Sequence, residues 1–301
     1  MNLQAYIILC ITTAIWGGNS VAGKMAVGHV SPMMLTTTRW VIACLVLLIF
    51  AAPQVKRDMP LIRKNWLLLL GYGTIGFTGF NAFLYSALQY TSAINAVIEQ
   101  AGIPMVIFLM NFVLFRTAVS AAQIVGFTLT LVGIALTASH GNPITLLSLE
   151  LNRGDGLMMI AALLYAGYTV ALRWKPAIHW KSLIALSAFG ALVSSLPLLV
   201  WEISAGNLIM PDMEGWAIVA YAGILPSLVS QILYVRGVEL IGPNRAGLFI
   251  NTIPIFGMLL SILLIGERLE TFHIVAMALV LGGIAVAERG RPKQLEEAQT
   301  Q

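Results

Sequence analysis

AVIEQAGIPMVIFLMNFVL, residues 96–114, and AGLFINTIPIFGMLLSILL, residues 246–264, stand 150 positions apart and align without a gap. Ala96, Ile103, Pro104, Leu109 and Leu114 fall on Ala246, Ile253, Pro254, Leu259 and Leu264. The register extends in both directions. Trp66 meets Trp216 and Gly73 meets Gly223, while Ile124-Val125 meets Ile274-Val275 and Gly133-Ile134-Ala135 meets Gly283-Ile284-Ala285. A shift of 149 sets Trp16, Gly18, Val21, Ala22 and Lys24 on Tyr165, Gly167, Val170, Ala171 and Arg173. Leu and Ala coincide often in apolar segments, but an ungapped run of Trp, Gly and Pro landmarks points to an internal duplication.

Both stretches are also nearly long enough to cross a ~30 Å hydrocarbon layer, which takes ~20 apolar residues in a helix. They are not alone. Hydrophobic residues make up 58% of the 301 positions and charged residues 10%, too few to cover a soluble domain. Ten apolar spans are expected, at 5–26, 32–52, 66–89, 92–115, 120–138, 156–174, 182–203, 215–238, 244–265 and 271–288. Backbone amides in lipid must be paired internally, so the spans are expected to be helices. The first span exceeds a signal-peptide core, lacks a basic flank and is followed by a second span, so it is expected to be retained.

Five crossings per copy is an odd number, so the second copy enters the membrane inverted. The expected architecture is therefore an all-α integral membrane protein of ten transmembrane helices in two inverted five-helix repeats. The first repeat takes residues 1–138, a periplasmic linker 139–155, the second repeat 156–288 and a cytoplasmic tail 289–301. Inverted repeats of this kind build secondary transporters whose substrate sits near the midplane between the halves. With a cytoplasmic N-terminus, 13 of the 17 Lys/Arg fall in links on the inner side, and only Lys24, Arg39, Arg153 and Arg268 do not. The positive-inside rule then puts both termini in the cytoplasm. Spread over links in this way, the basic residues form no nucleic-acid face.

Ile15-Trp16-Gly17-Gly18-Asn19, Arg39, the mid-helix prolines Pro104 and Pro254, and Gly266-Glu267-Arg268-Leu269 give the chain a resemblance to the EamA family of the drug/metabolite transporter superfamily. The first copy departs from the family pattern, with Arg116-Thr117 in place of Gly-Glu. Within the family the chain most resembles the YddG-type exporters of aromatic amino acids. The resemblance implies a ten-helix basket in the bacterial inner membrane that opens alternately to its two sides.

Ionisable groups in hydrocarbon are costly unless paired or hydrated, so each is a functional candidate. Arg39 and Glu99 are the deepest, both ~10 Å below the outer face at ~1.5 Å per residue. Equal depth permits an ion pair, serving either to hold the first bundle together or to exchange partners or protons during transport. Lys24 is a further partner for Glu99 or snorkels to the interface. Gln100 is a weaker candidate for coupling or gating. Pro104 and Pro254 are expected to kink helices four and nine, as fixed bends or as hinges.

Trp16 and Tyr165 lie ~17 and ~14 Å into helices one and six, near the midplane, with Asn19 and Tyr168 one turn on. Asn81 and Gln231 correspond in the 150 register, with Tyr85 and Tyr234 nearby. These eight residues are the candidates for substrate contact, since aromatic walls with a few hydrogen-bonding groups suit an amphipathic solute. Ordinary helix packing would use the same residue types. A small solute and the lipid bilayer are the expected partners, with no nucleic acid.

Gly71-Tyr72-Gly73-Thr74-Ile75-Gly76 has the spacing of a dinucleotide loop, but it lies within a span rather than between a strand and a helix. Close helix approach explains those glycines better. No Walker A loop, G-x-S-x-G, H-E-x-x-H or paired intramembrane carboxylates are recognised, and Cys10 and Cys44 form no CxxC. No enzyme activity, metal or cofactor is therefore expected. Transport is expected to run on a solute or ion gradient, with amino acids as the favoured class over phosphorylated sugars, which would call for several central cations.

Overall fold

A computed structural model describes residues 3–116, 119–142 and 152–289. Most of the expected linker 139–155 and all but the first residue of the tail 289–301 lie outside the described residues, as does Thr117. Among the described residues, ten helices are long and apolar enough to cross a membrane. They are α1 (Leu3–Met25), α2 (Pro32–Phe50), α3 (Ala52–Ala87), α4 (Ala93–Phe115), α5 (Ala121–Ala138), α6 (Arg153–Trp174), α7 (Trp180–Ser204), α8 (Met213–Ile241), α9 (Arg245–Ile265) and α10 (Thr271–Arg289). Their outward faces carry Leu45, Leu48, Leu67, Val113, Val200 and Leu263, all well exposed. Such a surface suits lipid.

One boundary differs from expectation. The helix that precedes Trp66 begins at Ala52, so 52–65 is helical rather than a link, with a break in helical geometry at Asn65 (φ −122°, ψ 20°). Lys56, Arg57, Arg63 and Lys64 interrupt the apolar pattern there, which hides the helix from a hydropathy reading. Asp58 fastens this segment to α7 by accepting from the Ser182 hydroxyl at 2.6 Å and the His179 amide at 3.1 Å.

The duplication reappears as matched irregularities. The α3 chain passes through a π-helical stretch at Gly73–Gly79, and α8 through another at Leu225–Val229. Adding 150 to the first gives 223–229, so the two end at the same register position. Helices α4 and α9 are each broken in two, as Ala93–Ala101 with Ile103–Phe115 and Pro243–Ile250 with Ile253–Ile265. Pro104 and Pro254 sit in the first turn of each second piece, where their missing N–H costs nothing. Each expected kink is thus an interruption two to three residues before its proline.

The inversion is visible where α5 meets α10. A Cβ on Gly126 would fall 2.3 Å from the Gly283 carbonyl oxygen, and one on Gly133 would fall 2.8 Å from that of Ala276. As one helix advances from 126 to 133 its contacts on the other retreat from 283 to 276, so the pair is antiparallel. Helices five and ten are repeat counterparts, and they cross in opposite directions.

Gly17 of α1 and Gly73 and Gly76 of α3 serve close approach in the same way, whereas Gly71, expected to do so, faces open space. Gly17 meets the backbone of Gly257 in α9, Gly73 meets Ser187 in α7, and Gly76 meets the ring of Tyr168. No side chain larger than hydrogen fits at these contacts without displacing backbone or a buried ring.

Candidate functional site

Arg39, buried to 3% exposure, is the centre of the polar interior. Its Nε and one terminal nitrogen donate to the Ser227 hydroxyl at 3.1 and 2.7 Å. The other terminal nitrogen donates to Asn81 Oδ1 at 2.6 Å, to Asn19 Oδ1 at 3.3 Å and to the Tyr85 hydroxyl. Tyr85 in turn donates to Asn19 at 2.9 Å. The guanidinium lies 4.9 Å from the centre of the Trp40 ring, which stacks on Phe77.

The two π-helical stretches help to make this geometry. The Ser227 hydroxyl sits inside one and donates back to the Ala222 carbonyl five residues earlier, leaving its lone pairs to Arg39. Asn81 follows the other, and its amide nitrogen donates to Phe77 O, which turns Oδ1 toward the guanidinium. Widened turns of this type recur at functional positions in helices.

Every side-chain acceptor on Arg39 is uncharged. The expected pair with Glu99 is not formed: among the described residues the Glu99 carboxylate oxygens have no hydrogen-bond partner, and Arg39 is in no salt bridge. Equal depth is necessary for pairing but leaves open the direction around each helix axis. Arg39 faces α1, α3 and α8, whereas Glu99 sits in the half-helix that packs on α6 and acts electrostatically with Asp155 there. Lys24 does not meet Glu99 either. Its ammonium donates to the carbonyls of Leu88 and Thr91 at 3.0 and 2.8 Å, capping the end of α3.

Next to the Arg39 cluster runs a connected set of rings. Trp16 packs on Tyr234 at 5.3 Å between centroids, Tyr165 on Tyr168 at 5.6 Å, and Phe80 on Tyr165 at 5.0 Å. Tyr234 and Tyr165 are electrostatic neighbours, which joins the two groups. Trp16, Tyr165, Tyr168 and Tyr234 are all half-buried.

The repeat register names Asn81 and Gln231 together, but they do not act as a pair. Asn81 holds Arg39, while Gln231 lines a separate apolar cavity of about 280 Å³ with Leu47, Phe50, Trp180, Lys181 and Leu228. Gln100 donates to Ser20 at 2.7 Å, tying α4 to α1. Ser227 and Tyr221, whose hydroxyl donates to Ile15 O at 3.0 Å, are site neighbours that the sequence reading passed over. Leu225-Pro226-Ser227 carries the one available signal, a proline with a hydroxyl in mid-span.

The two ends of the molecule differ. Call the end bearing Leu3 the near end and the other the far end. At the far end the half-helix Ala93–Ala101 is packed against α1, α5, α6, α10 and the second piece of α9, with every side chain from Ala93 to Glu99 buried. Glu267 caps it by accepting from the Ala93 and Ile94 amides at 2.8 and 3.0 Å and from Ser261 at 2.7 Å. Glu202 likewise caps α2 through Ser31, Met33 and Met34. His29 bonds Asp212 at 2.7 Å. That hydrogen bond raises the imidazole above its ordinary value; Asp212 is lowered, by the Gly215 amide first and His29 second.

At the near end the counterpart half-helix is loosely held. Among 245–250 only Ala246 is buried, and Leu248 is 53% exposed. Arg173, the repeat partner of Lys24, does not cap α8 but lies 3.7 Å over the Phe115 ring. The half-helix at the far end is packed into the bundle, and its near-end counterpart is less so.

A family model described as the EamA-like transporter family matches residues 3–139 and again 152–288. The chain is 24% identical to the uncharacterized transporter YyaM of Bacillus subtilis, over 95% of this chain and 94% of that one. It is 26% identical to the uncharacterized transporter YetK of the same organism, over 95% and 87%. A probable amino-acid metabolite efflux pump of Escherichia coli is 22% identical over 95% of each chain. One solved crystal structure superposes with a TM-score of 0.64 at 20% identity, covering 96% of this chain and 99% of that chain. With ten helices able to span a bilayer and both halves matched by one model, the chain is a multi-pass membrane transporter, not an enzyme, and it belongs to the EamA-like transporter family.

Proposed function

We propose that this transporter exports small amphipathic metabolites, above all aromatic and other neutral amino acids, from the cytoplasm of a bacterium across its inner membrane by alternating access. The observation that carries the substrate class is Arg39: a buried guanidinium held by four uncharged side chains and, among the described residues, by no acid. A cation in low dielectric with no counter-ion attracts an anion strongly, and a substrate carboxylate supplies one. The 3.3 Å contact to Asn19 is the longest of the set and the one a carboxylate most readily replaces. Trp16 lies one helical turn from Asn19, so the remainder of the solute falls among Trp16, Tyr165, Tyr168 and Tyr234.

Alternating access is supported by the unequal ends of a duplicated fold. Exchanging the conformations of the two copies would bury Pro243–Ile250, release Ala93–Ala101 and move the cap from Lys24 on α3 to Arg173 on α8. In this proposal the near end is cytoplasmic, both termini lie there, and residues 1–138 and 156–288 are the two copies. Subgroup membership with the YddG-type exporters fits the same reading.

The deciding experiment is counterflow of labelled Phe, Trp, Thr and a phosphosugar in proteoliposomes. Exchange of Phe and Trp is expected. Phosphosugar exchange without amino-acid exchange would refute the substrate class.

A further inference from the structure

Two carboxyls outside the Arg39 cluster have no part in the function so far described. Glu99 is 3% exposed and Asp155 is 1% exposed, and none of their four oxygens has a hydrogen-bond partner among the described residues. Asp155 lies within electrostatic reach of Glu99 across the contact between the half-helix Ala93–Ala101 and α6. The Thr91 hydroxyl is beside Asp155 but out of hydrogen-bond geometry.

Among the described residues, none of the charged and titratable groups around them bonds either carboxyl, Arg268 and Glu270 at the far-end cavity included. From α1, Lys24 is spent on the Leu88 and Thr91 carbonyls. Glu267, between α9 and α10, is spent on the α4 amides. From α10, the His273 ring bonds Asn95 at 3.0 Å, and His140 at the end of α5 packs on Phe272 and lies within electrostatic reach of Asp155 without bonding it. Arg153 is on the first turn of α6 and forms no salt bridge among the described residues, and the second piece of α9 has no ionisable side chain. Two ionised carboxylates buried in this way would each lack a partner, and an isolated buried charge neutralises instead.

A polar route leads toward them from the far end. Ser92, Asn95, His140, Glu267, Glu270 and His273 line a cavity of about 200 Å³ there. From it Asn95 donates to Thr91 at 3.3 Å, and Thr91 stands beside Asp155.

We propose that Glu99 and Asp155 form a proton-binding site whose occupancy holds the far end shut, so that export is coupled to inward proton movement. The coupling rests on the transport reading above; the proton site does not. A proton taken from hydronium on the far side neutralises each carboxylate and allows the half-helix to seat against α6. Release of the protons to water on the near side, while the far end is shut, leaves two like charges within electrostatic reach, and these are relieved by hydration as the half-helix then parts from α6. Protonated carriers therefore return to the closed far end and deprotonated ones open it, which is the order that an exporter driven by an inward proton gradient requires.

The test has two arms on the full-length protein in liposomes, with Glu99→Gln, Asp155→Asn and the double variant. Infrared difference spectra between acid and alkaline buffer are expected to show a protonated-carboxyl band in the unmodified protein that the double variant loses. An unchanged band in the double variant overturns the proton site. In the second arm, Glu99→Gln, which mimics the protonated acid and so favours the shut far end, is expected to remove the pH dependence of Phe counterflow and to lose at least ten-fold of the accumulation driven by a pH gradient. Gradient-driven accumulation equal to the unmodified protein's overturns the coupling. Failure of the unmodified protein to exchange Phe defeats the transport reading instead, with the infrared result still deciding the site.

Discussion

Replacing Arg39 by Lys tests the substrate reading most directly, because it keeps the charge and removes the shape. The guanidinium reaches Ser227 through two nitrogens and Asn81, Asn19 and Tyr85 through the third. An ammonium is a single point with three donors and no fork. It cannot hold both Ser227 and Asn81 and still present a flat pair of N–H groups to a carboxylate. The loss of one charge-assisted hydrogen bond to substrate is worth about 1.5–3 kcal/mol, or roughly 10- to 150-fold in half-saturating concentration. The assay is counterflow of Phe against phenethylamine, the same ring and amine without the carboxylate. Arg39→Lys is expected to weaken Phe by that factor and to leave any phenethylamine exchange unchanged. Equal weakening of both, or no change for Phe, would refute the assignment of Arg39 to the carboxylate.

Other consequences can be measured separately. Gly126→Ala and Gly283→Ala each drive a methyl into backbone across the α5–α10 contact, at 2.3 and 2.5 Å, and are expected to cost about 1–3 kcal/mol each, read as lowered thermal stability in detergent. Glu267→Ala removes the acceptor of two α4 amides, at a cost of about 1 kcal/mol, and is expected to raise far-end accessibility of a cysteine placed at Ala93. The His29–Asp212 contact has a defined pH window: His29 is raised and Asp212 lowered, so its stabilisation holds between them, fades as pH climbs through the raised imidazole value and fades again in acid below the ordinary carboxylate range. His29→Ala is expected to flatten the alkaline side of the melting-temperature profile; an unchanged profile would contradict this. Lys24→Met, which leaves the Leu88 and Thr91 carbonyls without their cap, is expected to shift the carrier toward an open far end in the same cysteine assay.

The ten spans and the repeat were legible because hydropathy and register depend on spacing along the chain alone. What spacing cannot carry is azimuth. Arg39 and Glu99 share a depth, yet one faces the interior between the halves and the other faces α6. The same limit separates Asn81 from Gln231: register makes them counterparts, but the two copies occupy different conformations, so one grips Arg39 and the other lines a cavity near Trp180. The departure at Arg116-Thr117 acquires a partial account. Glu267 caps amides of Ala93 and Ile94, and the residue corresponding to Ala93 is Pro243, which has no N–H to cap. Ser227 escaped notice because a π-helical turn, which aims it, has no pattern in hydropathy.

The glycine crossing of α5 and α10 also governs how freely these helices can drift in sequence. Backbone meets backbone on one side, where even a methyl is excluded, while Ile124, Val125, Leu131 and Val132 on α5 and Ile274 and Val275 on α10 point outward and are about half exposed. Selection on these two helices is accordingly one-sided: their outer faces accept almost any apolar side chain, and their inner seam accepts almost none. A saturation library across 121–138 would return a tolerance map with the period of the helix itself, its strict minima at Gly126 and Gly133.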